Sequence, residues 1–352
     1  MYFLLLYIFF LSALFQFLKK IGKNVEYKYI YGLYKIGNRL DFLEKISKSK
    51  LIKIFEYAAI PIGFISMIVA IYFIFYGIKA RIPTVVPVIP GLEIYGIKFP
   101  IFEVILAIFI SALVHELAHA LLIIKNKIEI KSFGIFFFGP FLGAFVEPSE
   151  DIFKLNKIKQ ISIFNAGILA NILLSLFVAL LIYILYSSNI LSSESYVYIV
   201  GKVPNVTNVE NLSFETNEKV LFIGNKEIRG YKDIVEALSN YSPGDKIELI
   251  TDKGKYIIEL SERDGKPFIG LYFAQEVKFG MVFNILFWIF IISLGIGLGN
   301  SLPIFTLDGG QALKALLNIL IKDDKKASKL HILVSYLILA ALIINFVLLF
   351  GK

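Results

Sequence analysis

Long apolar segments constrain this chain more than any other feature of its sequence. An α-helix needs about 20 apolar residues to cross the hydrocarbon core of a bilayer. Six segments meet or approach that length: Tyr2–Leu18, Phe55–Ile78, Ile101–Ile124, Ile161–Tyr186, Phe279–Leu298 and Leu330–Phe350. The sequence therefore predicts an α-helical polytopic membrane protein with about six transmembrane helices.

The composition excludes other classes of protein. Of the 352 residues, 57% are hydrophobic and 18% are charged, whereas soluble proteins carry roughly 25% charged residues. This excludes disorder, an ordinary soluble enzyme and a coiled coil. The net charge is +8, but the lysines and arginines lie in loops beside the apolar segments, so we expect no nucleic-acid partner. The chain has no cysteine, which excludes disulfides and thiolate metal sites.

The first apolar segment, Tyr2–Leu18, has two interpretations. A signal peptide has basic residues before its apolar run and small residues at its cleavage site. Here Lys19, Lys20 and Lys23 follow the run instead, and no small-residue pattern is present. We therefore interpret the segment as an uncleaved membrane anchor.

The basic residues predict the orientation in the membrane, because loops rich in Lys and Arg stay in the cytoplasm. Loops 19–54, 125–160 and 309–329 hold ten, six and five such residues, whereas loop 79–100 holds three. We expect a multi-pass cell-membrane protein in which the three basic loops are cytoplasmic. Both termini and the long connection 187–278 then lie outside.

The connection 187–278 has the pattern of a soluble domain. Alternating residues predict strands at Lys219–Ile223, Lys246–Thr251 and Lys255–Leu260, and helical spacing predicts a helix at Tyr231–Leu238. Gly-containing turns separate these elements. The sequence thus predicts a small inserted β-rich domain over residues 195–275, outside the cell.

One motif with chemical meaning lies inside the third apolar segment, His115-Glu116-Leu117-Ala118-His119. Residues i and i+4 of an α-helix lie on one face, about 6 Å apart along the axis, so the two imidazoles can bind one metal ion. Glu116 can then act as a base toward a water on that metal, which is the arrangement of zinc metallopeptidases. Ionisable residues at membrane depth are costly and usually functional. A chance match, with polar side chains satisfied by neighbouring helices, is the alternative.

A third metal ligand is needed, because catalytic zinc usually takes three protein ligands and one water. Asp308 is the best candidate. Pro303 interrupts the helix before it and Gly309–Gly310 permits a sharp turn. Irregular backbone at membrane depth must be buried in protein or line a cavity, so we expect Asp308 to point inward.

Two alternatives concern this third ligand. Asp308 could instead be the N-cap of a helix through Gln311–Leu317. The third histidine of the chain, His331, could be a ligand, but it lies beside Lys329 at the start of the last apolar segment. We interpret His331 as a residue at the membrane interface.

Together these motifs resemble the site-2 proteases, which are intramembrane zinc metalloproteases. The resemblance rests on His115-Glu116-x-x-His119, on Asn300-x-x-Pro303-x-x-x-Leu307-Asp308-Gly309, and on a small domain inserted between them. It spans roughly residues 80–320. It implies that His115, His119 and Asp308 bind Zn²⁺ and that Glu116 is the general base and later proton donor. Single-span membrane proteins would be the substrates, cleaved within or near their membrane segment.

The resemblance implies further roles. Asn300 matches a family asparagine that holds the substrate or the oxyanion. Asn171, in Ala166-Gly167-Ile168-Leu169-Ala170-Asn171, matches a Gly-Pro-x-x-Asn motif in which Ile168 replaces the usual proline. An interhelical hydrogen bond is the alternative role for Asn171.

The inserted domain resembles a PDZ domain, although the Gly-Leu-Gly-Phe loop that binds a C-terminal carboxylate is not visible in it. The resemblance implies that it binds the substrate or a regulator; a size filter is an equal alternative. The whole chain then divides into four parts. Residues 1–80 hold two membrane helices and a basic loop, 81–190 the first part of the catalytic core, 195–275 the PDZ-like domain, and 279–352 the second part of the core with the last helix.

The apolar stretch Ser132–Glu147 is too short to span a bilayer. Gly139–Pro140 in its middle predicts a hairpin that dips into the membrane, where an edge strand could hold an extended substrate by strand addition. Site-2 proteases have a re-entrant β element at this place. The alternative is an interfacial loop packed on helices.

Two other functions stay open from the sequence. A membrane metal transporter would also place ionisable residues in its helices, although one His pair and one Asp make a single site rather than a relay. A non-proteolytic metal-binding platform is the second alternative.

Overall fold

Two units divide the chain. One comprises Met1–Ile184 together with Asn284–Lys352, and the other comprises Leu185–Phe283. The computed structural model describes residues 2–350 except positions 23, 39, 140, 189, 191–192, 205, 210–211 and 216.

The described residues form ten α-helices and fourteen strands. The helices are α1 Tyr2–Ile21, α2 Asp41–Ser47, α3 Lys50–Ala80, α4 Ile101–Lys125, α5 Lys157–Phe164, α6 Ala166–Ser187, α7 Tyr231–Leu238, α8 Met281–Ser301, α9 Asp308–Ile321 and α10 Asp324–Val347. The strands are β1 Val25–Lys28, β2 Tyr31–Gly37, β3 Glu93–Ile94, β4 Ile97–Lys98, β5 Ile130–Phe138, β6 Phe141–Pro148, β7 Ser193–Lys202, β8 Glu218–Ile223, β9 Lys226–Glu227, β10 Lys246–Thr251, β11 Lys255–Glu259, β12 Ser261–Arg263, β13 Lys266–Phe268 and β14 Leu271–Phe279.

Five helical segments are long and apolar enough to cross a membrane: α3, α4, α5 with α6, α8 and α10. They coincide with the second to sixth apolar segments of the sequence, and the chain is an integral membrane protein. The first predicted span also forms a helix, α1, but it is not among the five. The prediction of six spans therefore stays a prediction for α1.

A four-stranded antiparallel sheet lies in the helical unit, with the strand order β1-β2-β5-β6. Its last two strands, β5 and β6, form the predicted hairpin, with Gly139 at φ +55° in the turn; Pro140 lies outside the described residues. Gly134 of β5 is required there, because an added Cβ would collide with the backbone oxygen of Tyr34 on β2. Whether the hairpin dips into the membrane stays a prediction.

The sequence did not predict the two strands that extend this hairpin. The basic loop 19–54, for which the sequence predicted no elements, contains β1, β2 and α2. The aromatic ring of Phe15 on α1 packs against Phe137 on β5 with the ring centroids 4.7 Å apart. Leu43 on α2 joins the buried cluster that includes Ala118 and Leu122 of α4. The N-terminal elements thus lie against β5 on the side opposite β6.

The second unit contains a six-stranded antiparallel sheet. Its main order is β11-β10-β8-β7-β14, and β9 pairs with β8. Alternate residues of β7, β8 and β10 are fully buried and form its core, as Val197, Val220 and Leu249 illustrate. The helix and three strands predicted from the sequence lie where they were expected. The long outer pair β7 and β14, which extends the unit beyond 195–275, was not predicted.

Candidate metal centre

The histidine pair lies on one face of α4, as its spacing predicts. The Nε2 atoms of His115 and His119 are 3.1 Å apart. His115 is 5% exposed, so its ring lies inside the helical unit. Both Nε2 atoms face the same point.

Asp308 completes the group from the first residue of α9. Its Oδ2 lies 2.8 Å from Nε2 of His115 and 3.2 Å from Nε2 of His119. The N-cap interpretation of Asp308 is wrong: Leu307 is the N-cap residue, and the helix has no side-chain cap. The carboxylate points to the histidines instead.

This group fits a zinc ion. In a tetrahedral site with ligands at about 2.0–2.1 Å, two ligand atoms lie about 3.3 Å apart. The three atoms here lie 2.8, 3.1 and 3.2 Å apart, close to one face of such a tetrahedron. These three residues leave the fourth ligand position of the tetrahedron unfilled. Two nitrogen donors and one carboxylate are a donor set that zinc accepts.

Backbone at the junction of α5 and α6 orients His119. The Nδ1–H of His119 donates to the carbonyl oxygen of Ile163 at 2.8 Å. This leaves the lone pair on Nε2, toward the metal site, which is how histidine ligands are usually held. This contact could not be predicted from the sequence, because the partner is a backbone atom.

Asn171 on α6 lies against His115. Its amide Nδ2 is 3.2 Å from Nδ1 of His115, while its Oδ1 is buried without a partner among the described residues. If Nε2 of His115 binds a metal, Nδ1 carries the proton and must donate. Turning the amide by 180° places Oδ1 opposite that proton. The Nδ1–H of His115 then has an acceptor and Oδ1 of Asn171 has a donor, and amide orientation is assigned from such networks. Asn171 thus lies where it can orient His115.

Three glycines allow the elements to converge on this site. A Cβ on Gly167 would lie 2.5 Å from His115 Cε1 and His119 Nε2. Gly309 and Gly310 do not form the sharp turn that the sequence suggested; they lie in the first turn of α9. There, added Cβ atoms would collide with the backbone at Ser301 and at Ile304. The glycines are needed for close approach rather than for a positive φ.

Glu116 lies between the metal group and the sheet. Its Oε2 accepts a hydrogen bond from the backbone N–H of Val146 on β6 at 2.9 Å. The helix α4 packs along β6, and this hydrogen bond is a direct link between the two. The role of Val146 could not be predicted from the sequence, because every residue except proline has a backbone N–H.

Two other candidates lie outside the group. Asn300 is half-buried on the last turn of α8, and its side chain makes no hydrogen bond within the described part of the chain. His331 is 6% exposed and packs near the ring of Phe305; its location at the membrane interface stays a prediction. The three ligand atoms of the metal group do not include it.

Comparison with known proteins agrees with this geometry. The chain is 26% identical over 288 residues to the uncharacterized protein MJ0971 of Methanocaldococcus jannaschii, which covers 80% of this chain and 76% of that relative. Residues 103–344, more than half of the chain, match Peptidase family M50. The match contains both histidines and Asp308, and the resemblance to the site-2 proteases is confirmed. The chain belongs to Peptidase family M50.

Proposed function

We propose that this protein is an intramembrane zinc endopeptidase that hydrolyses single-span membrane proteins within or near their membrane segment. The observation that carries the proposal is the convergence of His115, His119 and Asp308 within hydrogen-bond distance, on helices of a membrane protein. Glu116 follows directly on the same helix. A metallopeptidase needs these four groups together.

The chain supplies these roles from three helices, α4, α8 and α9. His115, His119 and Asp308 would hold the metal. When bound, zinc supplies a Lewis acid that lowers the pKa of a coordinated water and polarises the scissile carbonyl. Glu116 takes a proton from the attacking water and later gives it to the leaving amine nitrogen, as a general base and acid does. Asn300, at the end of α8, is the proposed contact for the substrate or the oxyanion.

The surroundings support the remaining parts of the proposal. The excess of Lys and Arg in loops 19–54, 125–160 and 309–329 favours an active site toward the cytoplasmic side of the membrane. The free edge of β6 runs beside α4, so an extended substrate segment could pair with it. We propose the second unit as the PDZ-like binding module for the substrate or a regulator. Its α7 lies beside β14, where the Tyr231 hydroxyl donates to the Phe273 carbonyl.

The test is a cleavage assay in liposomes with a fluorescent single-span substrate. Glu116→Gln should retain its metal and lose at least about a hundredfold in rate, because general base catalysis contributes on that scale. Glu103→Gln, the same change at the start of α4, should cleave normally. A zinc chelator should abolish wild-type cleavage, and added zinc should restore it. Undiminished cleavage by Glu116→Gln would refute the mechanism.

A further inference from the structure

The strand β6 ends the four-stranded sheet. Its inner neighbour β5 is covered on the other side by β2. The strand at the end of a sheet presents a row of N–H and C=O groups that can pair with another chain. An incoming segment could therefore add to the described sheet at β6 or at β1, and of these two strands β6 is the one that packs along α4.

One group on this free edge is already engaged. The N–H of Val146 donates to Oε2 of Glu116, so it points away from β5. Val146 faces Phe133 and Ala144 faces Ile135 in the β5–β6 pair. Since backbone groups alternate between the two sides of an antiparallel strand, the N–H and C=O of Ala144 lie on the same free edge. The carboxylate of Glu116 thus occupies a position where a paired strand would place a carbonyl oxygen.

The two acceptors would compete for one donor. A substrate must be extended for its carbonyl to reach the metal group, and an added strand would bond to the free-edge N–H groups of β6. One N–H cannot serve a carboxylate and a strand carbonyl at full strength, because each needs the N–H directed at it. Whichever acceptor holds Val146 excludes the other.

We infer that substrate pairing on β6 displaces Glu116 from the N–H of Val146, and so frees the base only when an extended backbone is in place. This inference rests on the proposed function, since it concerns the base of that reaction. Val146 is then a positioning residue that acts through its backbone. The scissile peptide and the released carboxylate arrive at the metal group together.

The test is a binding measurement that needs no catalysis. Glu116→Gln keeps an acceptor that competes for the Val146 N–H, whereas Glu116→Ala removes it. A fluorescent single-span substrate that the wild type cleaves should bind Glu116→Ala about threefold to tenfold more tightly than Glu116→Gln, the value of one neutral hydrogen bond. Metal content is measured on both variants, so that the comparison is made between equally loaded proteins.

The two Glu116 variants are then compared in proteins that also carry a change at Val146, which completes a double-mutant cycle. Val146→Pro removes the N–H at a free-edge position where proline is tolerated, and there the two Glu116 variants should bind alike. Val146→Ala keeps the N–H, and the difference should persist. Equal binding to Glu116→Ala and Glu116→Gln with Val146 intact would overturn the inference. If no single-span substrate is cleaved by the wild type, the proposed function itself fails, and the two failures are thereby distinguished.

Discussion

The side chain of Asn171 decides how firmly His115 is held. A histidine that binds a metal through Nε2 donates its Nδ1–H to a neighbouring acceptor, and loss of that acceptor typically lowers metal affinity about 10–100-fold. The buried Oδ1 of Asn171 is the available acceptor near His115. This contact favours the positioning role of Asn171 over direct contact with the substrate.

We therefore expect Asn171→Ala to bind zinc about 10–100-fold more weakly than the wild type. Asn171→Asp retains an acceptor at this place and should bind zinc with near-normal affinity. Competition with a fluorescent chelator measures both. Ser175→Ala, which removes a hydroxyl one turn further along α6 that bonds to the Phe290 carbonyl, is the control. Normal zinc affinity in Asn171→Ala would show that another group orients His115.

Gly167 lies so close to both histidines that a larger residue there should disturb the metal group. Gly167→Ala places a methyl group against both imidazoles, so the rings must move apart and zinc should be lost. Gly295→Ala on α8 is the matched control, since an added Cβ there meets no atom within 4 Å. Zinc content per chain after dialysis measures the effect. Retention of a full equivalent of zinc by Gly167→Ala would contradict the described approach of α6 to α4.

The sequence predicts the ligands of this site better than their supports. The i, i+4 histidines and Asp308 carry a specific chemical pattern, and the structure brings them together. The contacts from Ile163 and Val146 use backbone atoms, which any residue type provides. Asn171 was recognised, but its partner could not be identified, because the packing of α6 on α4 is a long-range contact.

At the scale of elements, the connection between α8 and α9 sets the position of Asp308. Two hydrogen bonds and one close backbone contact hold this connection. The Ser335 hydroxyl of α10 donates to the Pro303 carbonyl at 3.0 Å, and the Gln311 amide donates to the Phe305 carbonyl at 2.9 Å. Gly309 lies directly against the backbone of Ser301. The position of Asp308 is therefore set by the packing of the backbone around it.

The change Gly309→Ala should disturb this arrangement. The new Cβ would overlap the Ser301 carbonyl, so α9 must shift and Asp308 with it. We expect a loss of at least about tenfold in zinc affinity, because ligand geometry must be held to within about 0.5 Å. Gly299→Ala, with open space around an added Cβ, should behave as the wild type. An unchanged affinity for Gly309→Ala would mean that the close contact is not needed.

The elements differ in how well their sequence predicts them. Apolar runs of about 20 residues identify α3, α4, α8 and α10 because length alone is a strong signal. The strands β1 and β2 are short, lie among lysines and pair with each other, and β2 also pairs with β5, about 100 residues away in sequence. The attachment of this pair to the sheet depends on that distant strand, so a local pattern could not establish it.

At the scale of the whole molecule, the two units have separate cores. A buried carboxylate stabilises the second unit: Glu218 is 1% exposed and accepts hydrogen bonds from Thr251, Tyr256 and the backbone N–H of Glu215. Burial, and then the hydrogen bond to Glu218, raise the pKa of Tyr256. The burial of Glu218 was not predicted from the sequence.

We expect Glu218→Ala to destabilise the second unit by about 2–4 kcal/mol, because buried donors are left without an acceptor. Hydrogen exchange of backbone amides in residues 218–260, measured on the full chain, should increase accordingly. The zinc content should not change, since the metal group lies in the other unit. Glu215→Ala, whose side chain is 74% exposed, is the control. Normal protection in Glu218→Ala would contradict the described network.

The proposed function depends on one zinc ion held by His115, His119 and Asp308. The most direct measurement is zinc stoichiometry with X-ray absorption on the purified full chain. We expect one zinc per chain with only nitrogen and oxygen ligands at about 2.0–2.1 Å, loss of that zinc in His119→Ala and Asp308→Ala, and its retention in His331→Gln. Zinc that stays bound in His119→Ala and Asp308→Ala, or a wild-type chain that binds none, would contradict it.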